Sequence, residues 1–205
     1  MPAKELDRIA ERITQELTCP LKDNATNLVF GKGNPEADIL FIGEAPGAKE
    51  DLAGKPFVGA AGRELDKLLH HIDLCLDEVY IANILKYRPP NNRDPTEAEI
   101  ERHTPYLIEQ INAIKPKIII TLGNFATKFV LSGFRVEGMK TIPGISTLHG
   151  KARDLIVDGA HYIVVPLYHP AAMLYKPPLR AVLKEDFAKI KKLLTEPRST
   201  QQTLT

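Results

Sequence analysis

Four short, almost unbroken apolar runs, separated by stretches of helical periodicity, constrain this chain more than any other feature. They are Asp38-Ile-Leu-Phe-Ile42, Val79-Tyr-Ile-Ala82, Lys117-Ile-Ile-Ile-Thr-Leu122 and His161-Tyr-Ile-Val-Val-Pro166. A strand with one wet face alternates polar and apolar residues, so runs like these belong to strands buried on both sides. Leu6, Ile9, Ile13 and Leu17 recur at three- and four-residue steps and predict a helix over residues 3 to 17. Leu65, Leu68, Leu69 and Ile72 predict a second, after Gly62. Thr96 and Glu99 stand at capping-box spacing before the stripe Ile100, Leu107, Ile111 and Ile114, which stops ahead of Pro116. Gly123 opens a short helix to about Leu131, and a last helix runs from about Leu179 to Leu194. Strands alternating with helices describe an α/β fold: a three-layer α/β/α sandwich around a central, mainly parallel four-stranded sheet.

The 205 residues contain no Pro/Gly/Ser-rich linker, so one domain over residues 1–205 is expected, with a polar tail at 196–205. Hydrophobic residues make up 43% of the chain, enough for a buried core, and no apolar run approaches the roughly 18 residues that cross a bilayer. The first residues, MPAKELDRIAERITQEL, lack the continuous apolar stretch of a secretory signal, and a cytoplasmic, membrane-free protein is expected. Cys19 and Cys75 are too few for a disulfide framework and stand at no metal-ligand spacing. A net charge of +1 does not advertise a polyanion partner. Its distribution is more informative, because residues 151 to 205 hold nine Lys/Arg against five Asp/Glu while the first 150 residues are net acidic. A nucleic-acid surface on such a chain is local and draws on its C-terminal third.

In parallel sheets ligands gather at the carboxyl ends of the strands, where the loops GEAPG, NILKYRPPNNR and YHPAAML all fall. Gly43-Glu-Ala-Pro-Gly47 places an acid, Glu44, in a glycine-bounded loop whose backbone N–H groups can face a ligand; a plain strand-helix turn is the alternative. Glu50 and Asp51 downstream read equally as solvated loop charges. Phe57 is a large ring in a loop boxed by glycines, and it packs either into the core or on a flat ligand. Asn83, directly after a strand, offers a paired donor and acceptor to a base edge, or to neighbouring loop backbone. The cations Lys86, Arg88 and Arg93, among prolines that hold the chain extended, suit DNA phosphates; a solvated basic loop has the same composition. His169, after the fourth strand, can donate to a developing anion or serve a structural role. Met173 and Leu174, between that histidine and the cations Lys176 and Arg180, form either an apolar wedge on a basic loop or part of the core.

Together these loops resemble the uracil-DNA glycosylase superfamily, and specifically its family 4, the thermostable archaeal and bacterial branch. The resemblance covers nearly the whole chain, from Cys19-Pro-Leu21 and Val29-Phe-Gly31 through GEAPGAKEDLAGKPFVGAAGRELDKLL, NILKYRPPNNRDPTEAEIE and KIIITLGNFA to HPAAML. It implies a DNA glycosylase that flips uracil out of single- or double-stranded DNA, hydrolyses the N-glycosidic bond and leaves an abasic site. By the same resemblance Gly43, Glu44, Ala45 and Asn83 contact the base, Phe57 stacks on it, His169 assists the leaving group, and the tip near Met173 and Leu174 enters the duplex. Glu44 either orients the water or stabilises the sugar cation, or is structural, with backbone amides doing the binding; these alternatives remain open. A monomer is expected.

Family 4 resemblance also implies four cysteines holding a [4Fe-4S] cluster. The matching positions here are Glu16, Cys19, Tyr87 and His103, which leave one thiolate. No metal and no cofactor are therefore expected, with His103 packed on the apolar stripe, Tyr87 filling the vacated volume and Cys75 an inert buried thiol. The loss of the cluster ligands also makes room for a different reading, a catalytically weak protein that binds uracil-containing or single-stranded DNA.

Overall fold

The computed structural model describes residues 1–195; the tail expected at 196–205 lies outside the described residues. Helices α1 (Pro2–Glu16) and α2 (Pro20–Asn24) precede strands β1 (Lys32–Gly33) and β2 (Ile39–Gly43). Helices α3 (Ala48–Ala53) and α4 (Ala60–His71) lead to β3 (Tyr80–Asn83), then to α5 (Glu97–Ile114) and β4 (Ile118–Leu122). The chain continues through α6 (Asn124–Leu131), α7 (Ile145–Leu148), β5 (Arg153–Val157), β6 (Ala160–Leu167), α8 (Ala172–Tyr175) and α9 (Leu179–Thr195).

The sheet has six strands in the order β1-β3-β2-β4-β6-β5, not the four expected. The four apolar runs form its parallel interior, and the two additional strands are antiparallel edges. β1 is two residues long, too short to leave a pattern. β5 is a largely exposed strand joined to β6 by the two-residue turn Asp158-Gly159, both residues at positive φ (49° and 79°). That is the hairpin turn that Asp-Gly favours, because its twist matches the strands it joins.

Side chains alternate across the inner strands. Leu40, Ile42, Ile119 and Val164 meet α1, α5 and α6 in one core, while Ile39, Phe41, Ile120 and Val165 meet α4 and α9 in the other. Both faces are thus covered, which is why the strands carry almost no polar residue. The capping box at the start of α5 forms: Thr96 Oγ1 accepts from Glu99 N–H, and the Glu99 carboxylate accepts from Thr96 N–H at 2.8 Å. From β2 the chain moves outward to β3, then returns to the other side of β2 as β4. The strand order reverses between β2 and β4, where open parallel sheets form their crevice.

Candidate active site

A cavity of about 290 Å³, at the small end of ligand pockets, opens at this carboxyl edge. Glu44 and Ala45 beyond β2, Phe57 between α3 and α4, Asn83 at the end of β3 and His169 beyond β6 all line it. Beyond the strand ends the pairing of β2 and β3 continues, with Ile84 N–H donating to Gly43 O and Leu85 N–H to Glu44 O, both at 3.0 Å. Gly43 itself lies under the site. A Cβ there would stand 2.3 Å from Asn83 Oδ1 and 3.1 Å from Phe57 Cε2, so only glycine lets the amide and the ring close over the strand.

Asn83 is buried, and its Oδ1 has no hydrogen-bond partner among the described residues. An unsatisfied buried acceptor is costly in a resting protein and therefore points to a donor supplied by a ligand. The Phe57 ring lies near-parallel to the His169 imidazole, with centroids 5.6 Å apart and planes at 25°. Phe57 has φ 51°, a left-handed backbone that a bulky residue rarely takes. The neighbourhood enforces it: Glu50 Oε1 accepts from Val58 N–H (3.0 Å) and Gly59 N–H (2.7 Å), and Lys32 Nζ donates to Phe57 O at 3.1 Å. Asp51, buried, accepts from the backbone N–H groups of Thr26 and Asn27. Neither acid is a solvated loop charge.

Ala171 N–H donates to His169 Nδ1 at 3.2 Å. An acceptor at Nδ1 puts the proton of the neutral ring on Nε2, leaving an N–H donor free of that loop. Desolvation pushes the His169 pKa down to about 4, so the ring is neutral at physiological pH. Glu44 is half-buried, and desolvation, helped by the nearby charge of Asp94, raises its pKa to about 7. Arg93 and Asn92 also reach the cavity wall, the guanidinium held by both oxygens of Glu99, whose carboxyl it draws down to about 2. Asn92 carries no individual signal in the sequence, and Glu50 reads there as no more than a loop charge.

Of the residues expected at DNA, two are placed otherwise. Lys86 is fully buried, donating to Asn83 O at 2.7 Å and to Gln110 Oε1, and reaches no phosphate. Met173 is buried in the core under α4 and α9, so it is no wedge. Leu174 (44% exposed) and its neighbour Tyr175 (82%) stand out instead, because the short helix α8 turns one side inward and the other to solvent. Lys176 is exposed, and Arg88 is half-buried with its Nε on Asn92 Oδ1. Arg180 is partly exposed and pairs with Glu64 of α4 at 2.7 Å.

The four positions that match cluster ligands do not suit one. Glu16 is exposed and pairs with Arg12, while Cys19, Tyr87 and His103 are buried. His103 Nδ1 bonds Glu99 O at 2.7 Å, and its ring meets Tyr87 edge-on at 6.3 Å. Iron-sulfur clusters need thiolates, and this set offers one. Among the described residues no group of three or more His, Cys, Asp or Glu side chains is arranged to hold a metal ion. Cys75, expected to be buried, is half-exposed at the start of a short 3-10 turn.

Comparison with known proteins agrees with this arrangement. The model of the uracil DNA glycosylase superfamily matches residues 30–194. The chain is 45% identical over 197 residues to the type-4 uracil-DNA glycosylase of Archaeoglobus fulgidus, covering 96% of this chain and 97% of that one. It is 47% identical to the type-4 uracil-DNA glycosylase of Saccharolobus solfataricus (93% and 87% covered) and 38% identical to that of Thermotoga maritima (92% and 94%). With that family model over most of its length and these relatives over more than nine-tenths of it, the chain belongs to the uracil-DNA glycosylase superfamily.

Proposed function

We propose that the protein is a monofunctional uracil-DNA glycosylase of base excision repair, which flips uracil out of DNA, hydrolyses its N-glycosidic bond and leaves an abasic site. The observation that carries this reading is the convergence, on one small cavity, of an unpartnered buried amide oxygen at Asn83, the Phe57 ring and a neutral His169 with its proton on Nε2. Uracil presents an N3–H donor beside its O4 acceptor. Asn83 can accept from the first and donate to the second, an arrangement that leaves cytosine's N4 amine and bare N3 mismatched. The planar base gains stacking on Phe57.

As the glycosidic bond breaks, its electrons pass to the base, and negative charge grows on uracil O2. A neutral imidazole donating from Nε2 stabilises that charge more in the transition state than in the ground state. Water attacks the sugar carbon, and Glu44, once ionised, can orient it or stabilise the sugar's positive character. Leu174 and Tyr175, beside exposed Lys176, form the tip that takes the base's place in the stack, with Arg88, Arg93 and Arg180 toward phosphate.

The reading is of one domain, a monomer, acting in the cytoplasm on DNA; the one sheet among the described residues and two free cysteines support it, and no described helix is long and apolar enough to cross a membrane. It is also of an enzyme without a cluster, where Cys19, Tyr87 and His103 pack in the space that the family gives to iron. Iron and sulfide analysis with a visible absorption scan of anaerobically purified protein tests that part, and a stoichiometric cluster overturns it.

Excision is tested on a labelled oligonucleotide with a single uracil, in single and double strands, for wild type, Asn83→Ala and His169→Ala. Strand cleavage that needs alkali and falls by about 10²-fold or more in both variants is expected. No cleavage with DNA binding retained would instead indicate a binding protein.

A further inference from the structure

Lys86 is the only lysine among the described residues that is buried, and no acid forms an ion pair with it. Its Nζ donates to the backbone oxygen of Asn83 at 2.7 Å and to Gln110 Oε1 on α5, and lies 5.9 Å from the centre of the Phe30 ring. Gln110 is fixed in turn by donating from Nε2 to Phe30 O at 3.1 Å. The titratable group facing it from α5 is His103, which burial and the lysine's own charge keep neutral. An ammonium held by neutral partners alone is an expensive way to tie down one carbonyl, because a buried cation without a counter-ion loses its hydration and gains no opposite charge.

The missing negative charge has a source on the other side of Asn83. The backbone of that residue holds Lys86, and its side-chain amide lines the cavity in which the departing base becomes an anion. We infer that Lys86 is a positioning and charge-stabilising residue of the excision reaction: it fixes the Asn83 backbone and holds an unpaired positive charge behind the base pocket, where it stabilises the leaving base as an anion. The inference rests on the glycosylase reading. In a water-poor interior such an interaction is weakly screened, and it strengthens only as charge develops, which places it in the transition state. Burial draws the lysine's pKa down to about 7, and a negative charge forming nearby acts in the opposite direction, favouring the ammonium as the base leaves.

The test compares wild type, Lys86→Met and Gln110→Glu in single-turnover excision from oligonucleotides carrying either uracil or 5-fluorouracil, with binding of each oligonucleotide measured in parallel. Fluorine withdraws electrons and stabilises the departing anion by itself. Lys86→Met is expected to slow uracil release by about 10- to 100-fold, to slow 5-fluorouracil release much less, and to leave affinity within about threefold. Gln110→Glu keeps an acceptor for Lys86 and cancels the charge, while giving up the donor to Phe30 O, so it is expected to slow uracil release by about fivefold or more and 5-fluorouracil release much less. Equal losses on the two bases, or wild-type speed in Gln110→Glu, overturn the inference, since a structural disturbance slows both bases alike and a cancelled charge that mattered cannot leave the rate unchanged. If Lys86→Met does not fold, the same two-base comparison in Gln110→Glu decides. No uracil release by wild type overturns the glycosylase reading and the inference with it, whereas release by wild type with unselective variants overturns the inference alone.

Discussion

Glu44 titrates well above an ordinary carboxyl. Its carboxyl is held at about 7 by desolvation and by Asp94, so the carboxylate forms as pH rises through that value. If the ionised form orients water or stabilises the sugar cation, single-turnover excision rises with pH toward about 7 and falls above it as Lys86 loses its proton, and Glu44→Gln is slower by about 10²-fold and loses the rising limb. His169 is not the source of such a limb, because its ring stays neutral down to about pH 4. A Glu44→Gln enzyme as fast as wild type would show that backbone groups of the loop do the binding. At Gly43 the requirement is steric: Gly43→Ala drives a methyl to 2.3 Å from Asn83 Oδ1, and an activity loss of about 10²-fold is expected with a stability loss of only about 1–3 kcal/mol. Asn83, Phe57, Glu44 and His169 are legible as candidates from their places at strand ends and in glycine-bounded loops. Lys86 is not, since a lysine between apolar Leu85 and Tyr87 has the composition of a basic loop whether its amine faces water or Gln110.

Helix α3 and the loop after it act as one element in which Glu50 holds two consecutive backbone N–H groups next to Phe57. Glu50→Ala releases that loop, and KM for uracil-containing DNA is expected to rise by about tenfold with a smaller change in kcat, because the stacking ring loses its preorganised place. Helix α5 carries a pH dependence of stability. Burial holds the His103 pKa at about 4, below its ordinary 6.5, so between those values the unfolded chain binds a proton that the folded protein refuses. Stability is therefore lost as pH falls through that window. His103→Leu should reduce the loss between pH 7 and pH 4.5, read by urea unfolding, by about 2 kcal/mol. His169 acts in the same direction and Glu44 in the opposite one, and both are common to the two proteins compared. The periodicity and cap of α5 make that helix readable from its residues alone. Strand β5 is hidden because its residues alternate only weakly, although the Asp158-Gly159 turn beside it is a usable signal.

At the scale of the whole molecule, one sheet edge gathers loops from residues more than a hundred positions apart, and α8 and α9 bring the basic C-terminal third beside them. Tyr175, the most exposed aromatic on α8, stands six residues beyond His169. Tyr175→Ala is expected to slow excision from duplex by about tenfold while changing single-strand excision little, as assayed on matched oligonucleotides, because only the duplex must be held open. The sequence alone determined the layering: apolar runs of strand length, separated by helical stripes, can satisfy their backbones and hide their side chains only as a parallel sheet covered on both faces. It also placed chemistry-bearing residues at the strand ends, since a strand's carboxyl end follows directly from where its apolar run stops. Only the tertiary structure decided which of two faces a loop residue presents, burying Lys86 and Met173 and exposing Tyr175. It likewise decided which edge strands close the sheet and which acid holds which loop. Those outcomes depend on contacts between distant segments, and burial of a single side chain in a short loop leaves no period for a sequence to record.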